Sequence, residues 1–560
     1  MSLLVCAVIG CGDSSAEGRT EASGGIDESG SNTGDGDSGD GDGDSGDGDG
    51  EPGDGDADEG VPGDGDPGDG DGDPIKFDSL IPDAGTPVDL CKVSDEQDAI
   101  GTCRMSAPPD AFEPENQWVF TDPQEPSSYV TPLVANLTDD DRNGEIDLCD
   151  VPDVVLVAGA NPGPPNAIGH IFVLSGDTGE LHFRIPTDVD ANFTPALGDI
   201  DGDGLIEIVT AGPFGPLMAF EHDGTLKWMT PTVWDIGAYF GQDLRYSNSA
   251  ALADLDHDGD VEIVTANMIF DHQGTLLHKL PTIAGQWGAT TTADLDDDDD
   301  LEIVLGSAVY HHDGSLLWST NLQPGYPQVA DLDDDGLPEV LLTNFNGLSL
   351  IEHDGTVTYQ DLRPTNVAAG GTNWHRPATI HDFDGDDQPE YAVSSASQYT
   401  VYEHDASIMW TANVADLSGI AAGTAFDFLG AGTAQAMYAD EQSLFVFDGV
   451  GSVLLQVPRS SGTLSEYPVV ADIDNDGSAE ILVVSNQYNP GPDYQCLRAI
   501  RDVEDRWIQA RRIWNQHAYH VSNVREDGTI PQYQPKSWEG LNTFRTNAQI
   551  EGGGICDPAG

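Results

Sequence analysis

Residues 331–339 read Asp-Leu-Asp-Asp-Asp-Gly-Leu-Pro-Glu, and a short apolar run, residues 340–342, follows them directly. Carboxylates at alternate positions of a tight loop converge on one point, where they repel each other unless a cation lies between them. Oxygen-only ligands at this spacing favour Ca²⁺ over Mg²⁺. Gly336 permits the sharp turn, and Glu339 can complete the shell from the next strand. The stretch therefore predicts a calcium loop that leads into a β-strand.

The same motif recurs along the chain. The predicted ligands of the seven charged copies are Asp139, Asp141, Asn143 and Asp147; Asp199, Asp201, Asp203 and Glu207; Asp254, Asp256, Asp258 and Glu262; Asp294, Asp296, Asp298 and Glu302; Asp331, Asp333, Asp335 and Glu339; Asp382, Asp384, Asp386 and Glu390; and Asp472, Asp474, Asp476 and Glu480. Two copies have Asp299 and Asp387 in place of the glycine, and Asp tolerates left-handed backbone better than most residues. An eighth copy, residues 427–435, has lost most carboxylates and is expected to bind no metal. A solvated acidic turn is the alternative, but repetition favours metal binding.

The loops mark a regular repeat. They begin at residues 139, 199, 254, 294, 331, 382, 427 and 472, with an average period of about 48 residues. Each unit has a short strand of small and apolar residues, the acidic loop, a β-branched run such as residues 207–210, and a hairpin such as residues 217–228. Four strands per unit at this period predict an all-β fold, a β-propeller of about eight four-stranded units.

The units resemble FG-GAP or VCBS repeats, the family of integrin α-chain propellers and many bacterial surface proteins. The resemblance covers residues 129–515. It implies that each acidic loop joins the first two strands of a blade and holds Ca²⁺. Eight units imply eight blades, or seven if the degenerate unit at residue 427 packs irregularly.

The N-terminal part has a different composition. Residues 8–11, Val-Ile-Gly-Cys, resemble a bacterial lipobox, so residues 1–11 are interpreted as a lipoprotein signal with Cys11 as the lipidated residue; an apolar tail is the alternative. Residues 12–74 are rich in Gly and Asp, and are predicted to be a disordered acidic tether. Residues 75–128 form a lead-in, in which residues 117–120 could add a strand that closes the domain.

Charge and cysteine content limit the function. The chain has 560 residues, with 100 acidic and 20 basic side chains and a net charge of −80. This charge argues against nucleic acid and anionic membrane surfaces as partners, and favours cations. Export would permit disulfides. Proximity in the sequence suggests Cys91 with Cys103 and Cys496 with Cys556, which leaves Cys149 unpaired.

Several aromatic and basic residues have more than one interpretation. Trp228, Trp318 and Trp410 share one register in their repeats and are expected to pack between blades rather than stack on sugars. Residues 374–376, Trp-His-Arg, could reach the axial opening and touch a ligand.

The C-terminal segment, residues 516–560, is predicted to pack on the propeller. Eight of the 20 basic residues lie between Arg498 and Arg545, so the region around residues 505–545 is expected to dock on acidic loops and close the last blade. His517 and His520 have the spacing of a transition-metal pair, but no third ligand is evident.

These features predict a calcium-binding propeller that is exported and lipid-anchored at the cell envelope, on the outer membrane or the cell surface. It would bind an extracellular protein or polysaccharide and touch the membrane only through its lipid. The main alternative is a polysaccharide lyase or other carbohydrate-active enzyme, with residues 374–376 as the only weak candidates for its site. A quinone-binding propeller is a further alternative, but the acidic loops repeated in nearly every unit argue against it. Binding is favoured over catalysis.

Overall fold

A computed structural model describes residues 91–92, 100–108, 110–160, 167–213, 215–231, 249–281, 289–364, 374–418, 420–491 and 494–558. The predicted signal, Cys11 and the predicted tether of residues 12–74 lie outside these described residues. No helix within the described ranges is long and apolar enough to cross a membrane.

The described residues form eight antiparallel sheets of four main strands, which we number as blades 1–8 in the order of their acidic loops. Blade 1 comprises Leu133–Ala135, Asp153–Ala158, Ile168–Ser175 and Leu181–Arg184, with Val189–Asp190 paired to its third strand. Blade 2 comprises Ala196–Gly198, Glu207–Ala211, Leu217–Phe220 and Leu226–Met229. Blade 3 comprises Ala250–Ala253, Glu262–Thr265, Met268–Phe270 and Leu276–Lys279. Blade 4 comprises Thr291–Ala293, Glu302–Val304, Ala308–Tyr310 and Leu316–Ser319.

The remaining blades repeat this order. Blade 5 comprises Tyr326–Ala330, Glu339–Asn344, Gly347–Glu352 and Val357–Leu362. Blade 6 comprises Thr379–His381, Glu390–Ser394, Gln398–Tyr402 and Ile408–Asn413. Blade 7 comprises Gly423–Phe426, Gln435–Ala439, Ser443–Phe447 and Val453–Pro458. Blade 8 comprises Val469–Ala471, Glu480–Val484, Leu497–Asp502 and, from the lead-in, Pro114–Phe120. Blade 7, the degenerate unit, is a regular four-stranded sheet like the others.

The first strands of blades 1–7 lie next to one another in sequence order, and mixed apolar clusters join blade 7 to blade 8 and blade 8 to blade 1. Burial follows this arrangement. Residues of Glu339–Asn344 are all buried, whereas Val357–Leu362 alternates between half-buried and exposed positions. Inner strands have neighbouring blades on both faces, while the outermost strand borders solvent. The predicted all-β propeller of eight units is thus confirmed.

The ring is closed by the lead-in segment. Pro114–Phe120 pairs antiparallel with Leu497–Asp502 and supplies the outermost strand of blade 8. Trp118 on this strand donates a 2.5 Å hydrogen bond from its indole Nε1 to the carbonyl oxygen of Gly176 in blade 1. The expectation that residues 505–545 close the last blade was therefore wrong, because the N-terminal strand already occupies that edge.

Outer-strand tryptophans connect successive blades. Trp228 Nε1 donates to the carbonyl oxygen of His272, 2.9 Å away in the next blade, and Trp318 Nε1 donates in the same way to His353 at 2.7 Å. The hairpin glycine below each ring, Gly355 for Trp318, has φ +84°, and a Cβ there would lie 2.9 Å from the indole. The predicted packing role of these tryptophans is confirmed, and His272 and His353 contribute their backbone carbonyls to it.

Residues 505–551 contact all eight blades. We use the name C-terminal segment for these residues from here on, because the contacts begin before residue 516, the predicted boundary. Its contacts occur in the order of the blades around the ring, starting from blade 8. Arg511 contacts Asp472, Trp514 contacts Val134, Asn515 contacts Leu197, Gln516 contacts Leu252, Lys536 contacts Asp294, Asn542 contacts Asp331, Phe544 contacts Ile380, and Arg545 contacts Thr424. The segment includes the short 3-10 helices Val521–Asn523 and Ser537–Glu539, and its strand Gln549–Glu551 forms a small sheet with Gly554–Pro558 and Gly101–Cys103.

Burial and hydrogen bonding hold this segment more than charge does. Trp507, Ile513 and Trp514 are at most 2% exposed. Arg512 pairs with Glu526 of the same segment at 2.6 Å, and Arg511 donates to Tyr519 Oη at 2.8 Å. The expectation of a cationic strip docked on acidic loops is thus correct for Lys536 but not for these arginines, whose charges are satisfied within the segment.

The disulfides differ from the pairing suggested by sequence proximity. Cys91 is bonded to Cys149, Cys103 is bonded to Cys556, and Cys496 is a free, buried thiol. Gly101–Cys103 runs parallel to Gly554–Pro558, which places Cys103 next to Cys556 although 453 residues separate them. Cys496 directly precedes the third strand of blade 8 and takes part in neither disulfide. Its proximity in sequence to Cys556 therefore did not predict a bond between them.

Candidate metal centres in the acidic loops

Every acidic loop joins the first strand of its blade to the second. In blade 5, Asp331 follows the first strand and Glu339 begins the second. Asp331 Oδ1 accepts the N–H of Asp334 at 2.8 Å, and its Oδ2 accepts the N–H of Gly336 at 2.9 Å. Gly336 has φ +87°, a conformation that glycine adopts without strain. The first carboxylate therefore organises the backbone of its own loop.

The last residue of the motif closes the loop. Glu339 Oε2 accepts the N–H of Leu332 at 2.7 Å. The same bond recurs between Glu207 and Ile200 (3.0 Å), Glu262 and Leu255 (2.9 Å), Glu302 and Leu295 (2.8 Å), Glu390 and Phe383 (2.8 Å), and Glu480 and Ile473 (2.9 Å). One carboxylate oxygen is used by this bond, which leaves the other for a second partner.

Several carboxylate oxygens of the first and closing residues have no partner among the described residues. They are Asp254 Oδ1, Glu339 Oε1, Asp472 Oδ1 and Glu480 Oε1, and each is fully buried. A buried carboxylate oxygen without a donor is costly, since it has lost its water and gained nothing in return. A hard cation supplies that missing interaction. The residues present therefore fit a calcium ion in blades 3, 5 and 8.

Electrostatics within the loops point the same way. Burial, followed by the charges of the neighbouring aspartates, raises the pKa of Glu262, Glu302, Glu339 and Glu390 to about 8. In blade 8, burial raises the pKa of Asp472 to about 7. The ionised form of these loops is thus unfavourable without a counterion, as expected for a site that holds a divalent cation.

The two copies that lack the glycine keep the same turn in the backbone. Asp299 and Asp387 adopt φ +74° and +68°, the left-handed conformation expected for them. Asp387 donates its N–H to Asp382 Oδ2 at 3.0 Å, as the glycine does elsewhere. In blade 4 the equivalent oxygen, Asp294 Oδ2, instead lies 3.1 Å from Lys536 Nζ. In the same blade, oxygens of Asp296 and Asp298 lie within 4.8 Å of a nitrogen of His311.

Blade 1 contains a ligand candidate that the nine-residue motif missed. Asp150 is fully buried; its Oδ1 accepts the N–H of Asp140 and its Oδ2 that of Asp147, both at 2.9 Å. Oxygens of Asp139, Asp141 and Asp150 lie within 4.8 Å of one another. Asp150 is the twelfth residue counted from Asp139, the spacing of the last ligand in an EF-hand loop. That spacing could have identified Asp150 from the sequence.

The second strand of blade 1 begins after this longer loop. Asp153 Oδ2 accepts the N–H of Leu137 at 2.9 Å, the bond that glutamate makes in the other loops. Asp147 instead accepts the N–H of Cys149, which the disulfide to Cys91 holds in place. Blade 1 therefore keeps the hydrogen bond that closes the other loops, but has a longer loop between its two partners.

Blade 7 keeps the frame with a neutral closing residue. Asp427 Oδ2 accepts the N–H of Gly432 at 2.7 Å, and Gln435 Oε1 accepts that of Phe428 at 2.9 Å. Leu429 and Ala431 stand where the other loops have carboxylates. The fold of the loop thus persists without the charges that a metal requires, and a metal-free blade 7 stays a prediction.

The other candidate residues are buried. Trp374, His375 and Arg376 are at most 1% exposed. Arg376 Nη2 donates to the carbonyl oxygen of Asp416 at 2.6 Å, and its Nε lies 3.2 Å from the Asp416 carboxylate. The possibility that these three side chains reach the axial opening and touch a ligand is not confirmed, because they are buried in the protein interior.

The two histidines of the C-terminal segment are also interior. His517 is fully buried and lies 5.2 Å from the ring of Tyr467, while His520 stacks on Phe544 at 5.6 Å. His520 Nε2 lies 3.0 Å from Gln534 Nε2. Burial lowers the pKa of His520 to about 4, so it is neutral at physiological pH. These contacts describe core packing rather than a metal pair.

Comparison with known proteins adds to this geometry. Residues 199–265 and 331–393 match the FG-GAP-like repeat family. The fold is similar to the biofilm matrix protein Bap1 of V. cholerae, with TM-score 0.66 and 20% identity over 80% of this chain and 100% of that chain. It is also similar to the exotype rhamnogalacturonan lyase YesX, with TM-score 0.50 and 16% identity over 80% of this chain and 84% of that chain. No curated protein gives a significant match to the sequence. The chain thus carries FG-GAP-like repeats on an eight-bladed β-propeller.

Proposed function

We propose that this protein is a calcium-stabilised propeller, held at the bacterial cell envelope by a lipid on Cys11, that binds an extracellular polysaccharide or protein. The calcium part is carried by one observation. Carboxylate oxygens of Asp254, Glu339, Asp472 and Glu480 are fully buried without a donor among the described residues. A calcium ion in each of these loops would satisfy them and neutralise the surrounding aspartates.

In this proposal the protein residues have separate roles. The first aspartate, such as Asp331, fixes the turn through the N–H groups that it accepts, and the closing glutamate, such as Glu339, anchors the loop to the second strand. Their remaining oxygens, with those of the middle aspartates, would hold the ion. Calcium would thereby stiffen the connection between the two innermost strands of a blade and reduce the repulsion among loop carboxylates.

The binding role is supported by the likeness to a biofilm matrix protein across that protein's whole length. A lyase role is the alternative, raised by the likeness to a rhamnogalacturonan lyase. The only residues that the sequence offers for such a site, residues 374–376, are buried, and Arg376 is paired with Asp416. This placement favours binding over catalysis.

Two experiments test the proposal. Full-length protein is incubated with immobilised envelope polysaccharides and envelope proteins, in calcium and in excess chelator; retention in calcium only is expected. Retention on none of these materials, or release of unsaturated products from rhamnogalacturonan, would contradict a binding role. In cells grown with a labelled lipid precursor, we expect the label on the wild-type protein and not on the Cys11→Ser variant. Equal labelling of the two proteins would refute the lipid anchor.

A further inference from the structure

Lys227 occupies a special position in blade 2. In the pairing of Leu217–Phe220 with Leu226–Met229, Ala219 faces Trp228 and Phe220 faces Leu226, so Lys227 is the extra residue of a β-bulge. A bulge leaves one residue outside the ladder and redirects its side chain. The Lys227 side chain is only 15% exposed. It points into the acidic loop of its own blade.

The ammonium group lies among three carboxylates. Lys227 Nζ is 2.6 Å from Asp201 Oδ2, 3.1 Å from Glu207 Oε1 and 3.1 Å from Glu221 Oε2. Asp201 and Glu207 are two of the four calcium ligands predicted for this loop. Because Glu207 Oε2 accepts the N–H of Ile200, both oxygens of this closing residue are engaged.

No other described blade has a lysine at this bulge, although Lys536 of the C-terminal segment lies 3.1 Å from Asp294 Oδ2 in the loop of blade 4. The bulge recurs in the other blades, and its extra residue, in the order of blades 1 and 3–8, is His182, Leu277, Leu317, Thr358, Met409, Leu454 and Gln117. His182 Nε2 lies 3.4 Å from Asp153 Oδ1, and Gln117 Nε2 donates to Asp474 Oδ2 at 2.6 Å, so these two also contact their own acidic loops, but neither carries the permanent charge of a lysine. Buried carboxylate oxygens without a partner occur in blades 3, 5 and 8. Within the described residues, the loop of blade 2 has none of them. Both oxygens of Glu207 and both oxygens of Asp199 accept hydrogen bonds from the chain itself.

We propose that Lys227 is a built-in cation that closes the acidic loop of blade 2, and that this loop takes no calcium ion. An ammonium donates to the same oxygens that Ca²⁺ would have to approach to about 2.3–2.6 Å, so the ion and the ammonium would share these oxygens and repel each other. The set Asp199, Asp201, Asp203 and Glu207 is then a structural ion-pair network rather than a metal site. The inference rests on the proposed calcium binding only for the comparison with the other loops.

The test uses Lys227→Leu, which gives blade 2 the residue of blades 3 and 4, with Lys279→Met as the matched control. Lys279 lies exposed on the outer strand of blade 3, and blade 2 has Met229 at the equivalent position. Bound calcium per full-length chain is measured by equilibrium dialysis with metal analysis. We expect one additional calcium ion in Lys227→Leu and no change in Lys279→Met. An unchanged count in Lys227→Leu would overturn the proposal.

A second variant covers the case in which Lys227→Leu does not fold. Asp201→Asn in the wild-type background removes a supposed calcium ligand, and we expect its calcium count to equal that of the wild type. Loss of one ion would overturn the proposal, because it would show that Asp201 holds a metal despite Lys227.

A measurement in chelator separates this proposal from the calcium function. Without metal, Lys227→Leu should melt below the wild type, since its loop loses its only cation, whereas Lys279→Met should melt with the wild type. Equal melting of Lys227→Leu and the wild type would overturn the role of Lys227. If the wild type binds no calcium at all, the proposed function fails, and the melting comparison still decides the role of the lysine.

Discussion

The carboxylate of Glu339 accepts the backbone N–H of Leu332 at 2.7 Å, and so ties the second strand of blade 5 to the start of its acidic loop. Gln435 makes the corresponding bond to Phe428 in blade 7 at 2.9 Å without a charge. The bond therefore belongs to the fold of the loop, whereas the negative charge has its role in the calcium binding that we propose. The two functions of this position can be separated by substitution.

Glu339→Gln should keep the loop bond and lose one metal ligand. In chelator we expect a melting temperature equal to or above that of the wild type, since a buried charge among aspartates is removed. In calcium the gain in stability should be smaller, by up to about 2.7 kcal/mol for a site that is saturated 100-fold above its Kd. Thermal unfolding in both buffers measures this. A full calcium response in the variant would show that Glu339 is no ligand.

The reverse change in blade 7 is the control. Gln435→Glu restores the closing charge, but Leu429 and Ala431 still offer no carboxylates. The variant should melt lower than the wild type, because the new charge is buried near Asp427, and calcium should not rescue it. Rescue by calcium would indicate that Asp427 and one glutamate suffice for a site.

Blade 1 gives a test of the longer loop. Asp150→Asn should remove one bound calcium ion per chain, because Asp150 lies with Asp139 and Asp141 in a single cluster. Asp188→Asn, at an exposed carboxylate outside any acidic loop, is the control and should leave the count unchanged. Equilibrium dialysis gives both numbers. An unchanged count in Asp150→Asn would remove this residue from the site.

The raised pKa values predict an unusual pH dependence in metal-free protein. The pKa values of Glu262, Glu302, Glu339 and Glu390 are about 8 in the fold, above the ordinary value of 4.5. The folded state therefore binds more protons than the unfolded state between these values, so stability should fall as pH rises from about 4.5 to about 8. Calcium requires the ionised carboxylates and should abolish or invert this trend. Melting curves across the range, with and without calcium, decide it; a metal-free melting temperature that rises with pH would contradict the assignment.

The tryptophan contacts between blades predict a graded loss of stability. Trp318→Phe should cost about 1 kcal/mol, since it removes mainly the hydrogen bond to His353. Trp318→Ala should cost about 3–5 kcal/mol, since the packing against Gly355 is also lost. Leu316→Ala, at a residue 53% exposed on the same strand, should cost little. Denaturant unfolding in saturating calcium gives the three values. Equal losses for Trp318→Ala and Leu316→Ala would show that the indole does not join the blades.

Local features of this fold could be read from the sequence. The acidic motif contains its own turn, its first ligand and its closing residue within nine positions, so the strands on either side and the repeat period followed from it. Asp299 and Asp387 adopt the left-handed backbone that was expected of them. Each of these inferences depends on residues close together in the chain.

Features that depend on distant residues could not be read in this way. Lys227 enters its loop only because a bulge redirects it, and that requires knowledge of strand register. Cys103 meets Cys556 through a parallel strand pair that no local pattern specifies. Residues 374–376 looked exposed because they break the pattern of small residues before the loop, yet the break reflects packing of large side chains in the interior.

The stability of the full-length protein in calcium and in chelator tests the central claim most directly. Several native-state sites add their contributions, so the account predicts a melting temperature that falls markedly in excess chelator and is restored by Ca²⁺ better than by Mg²⁺. A melting temperature that is the same in chelator, magnesium and calcium would contradict a calcium-stabilised propeller.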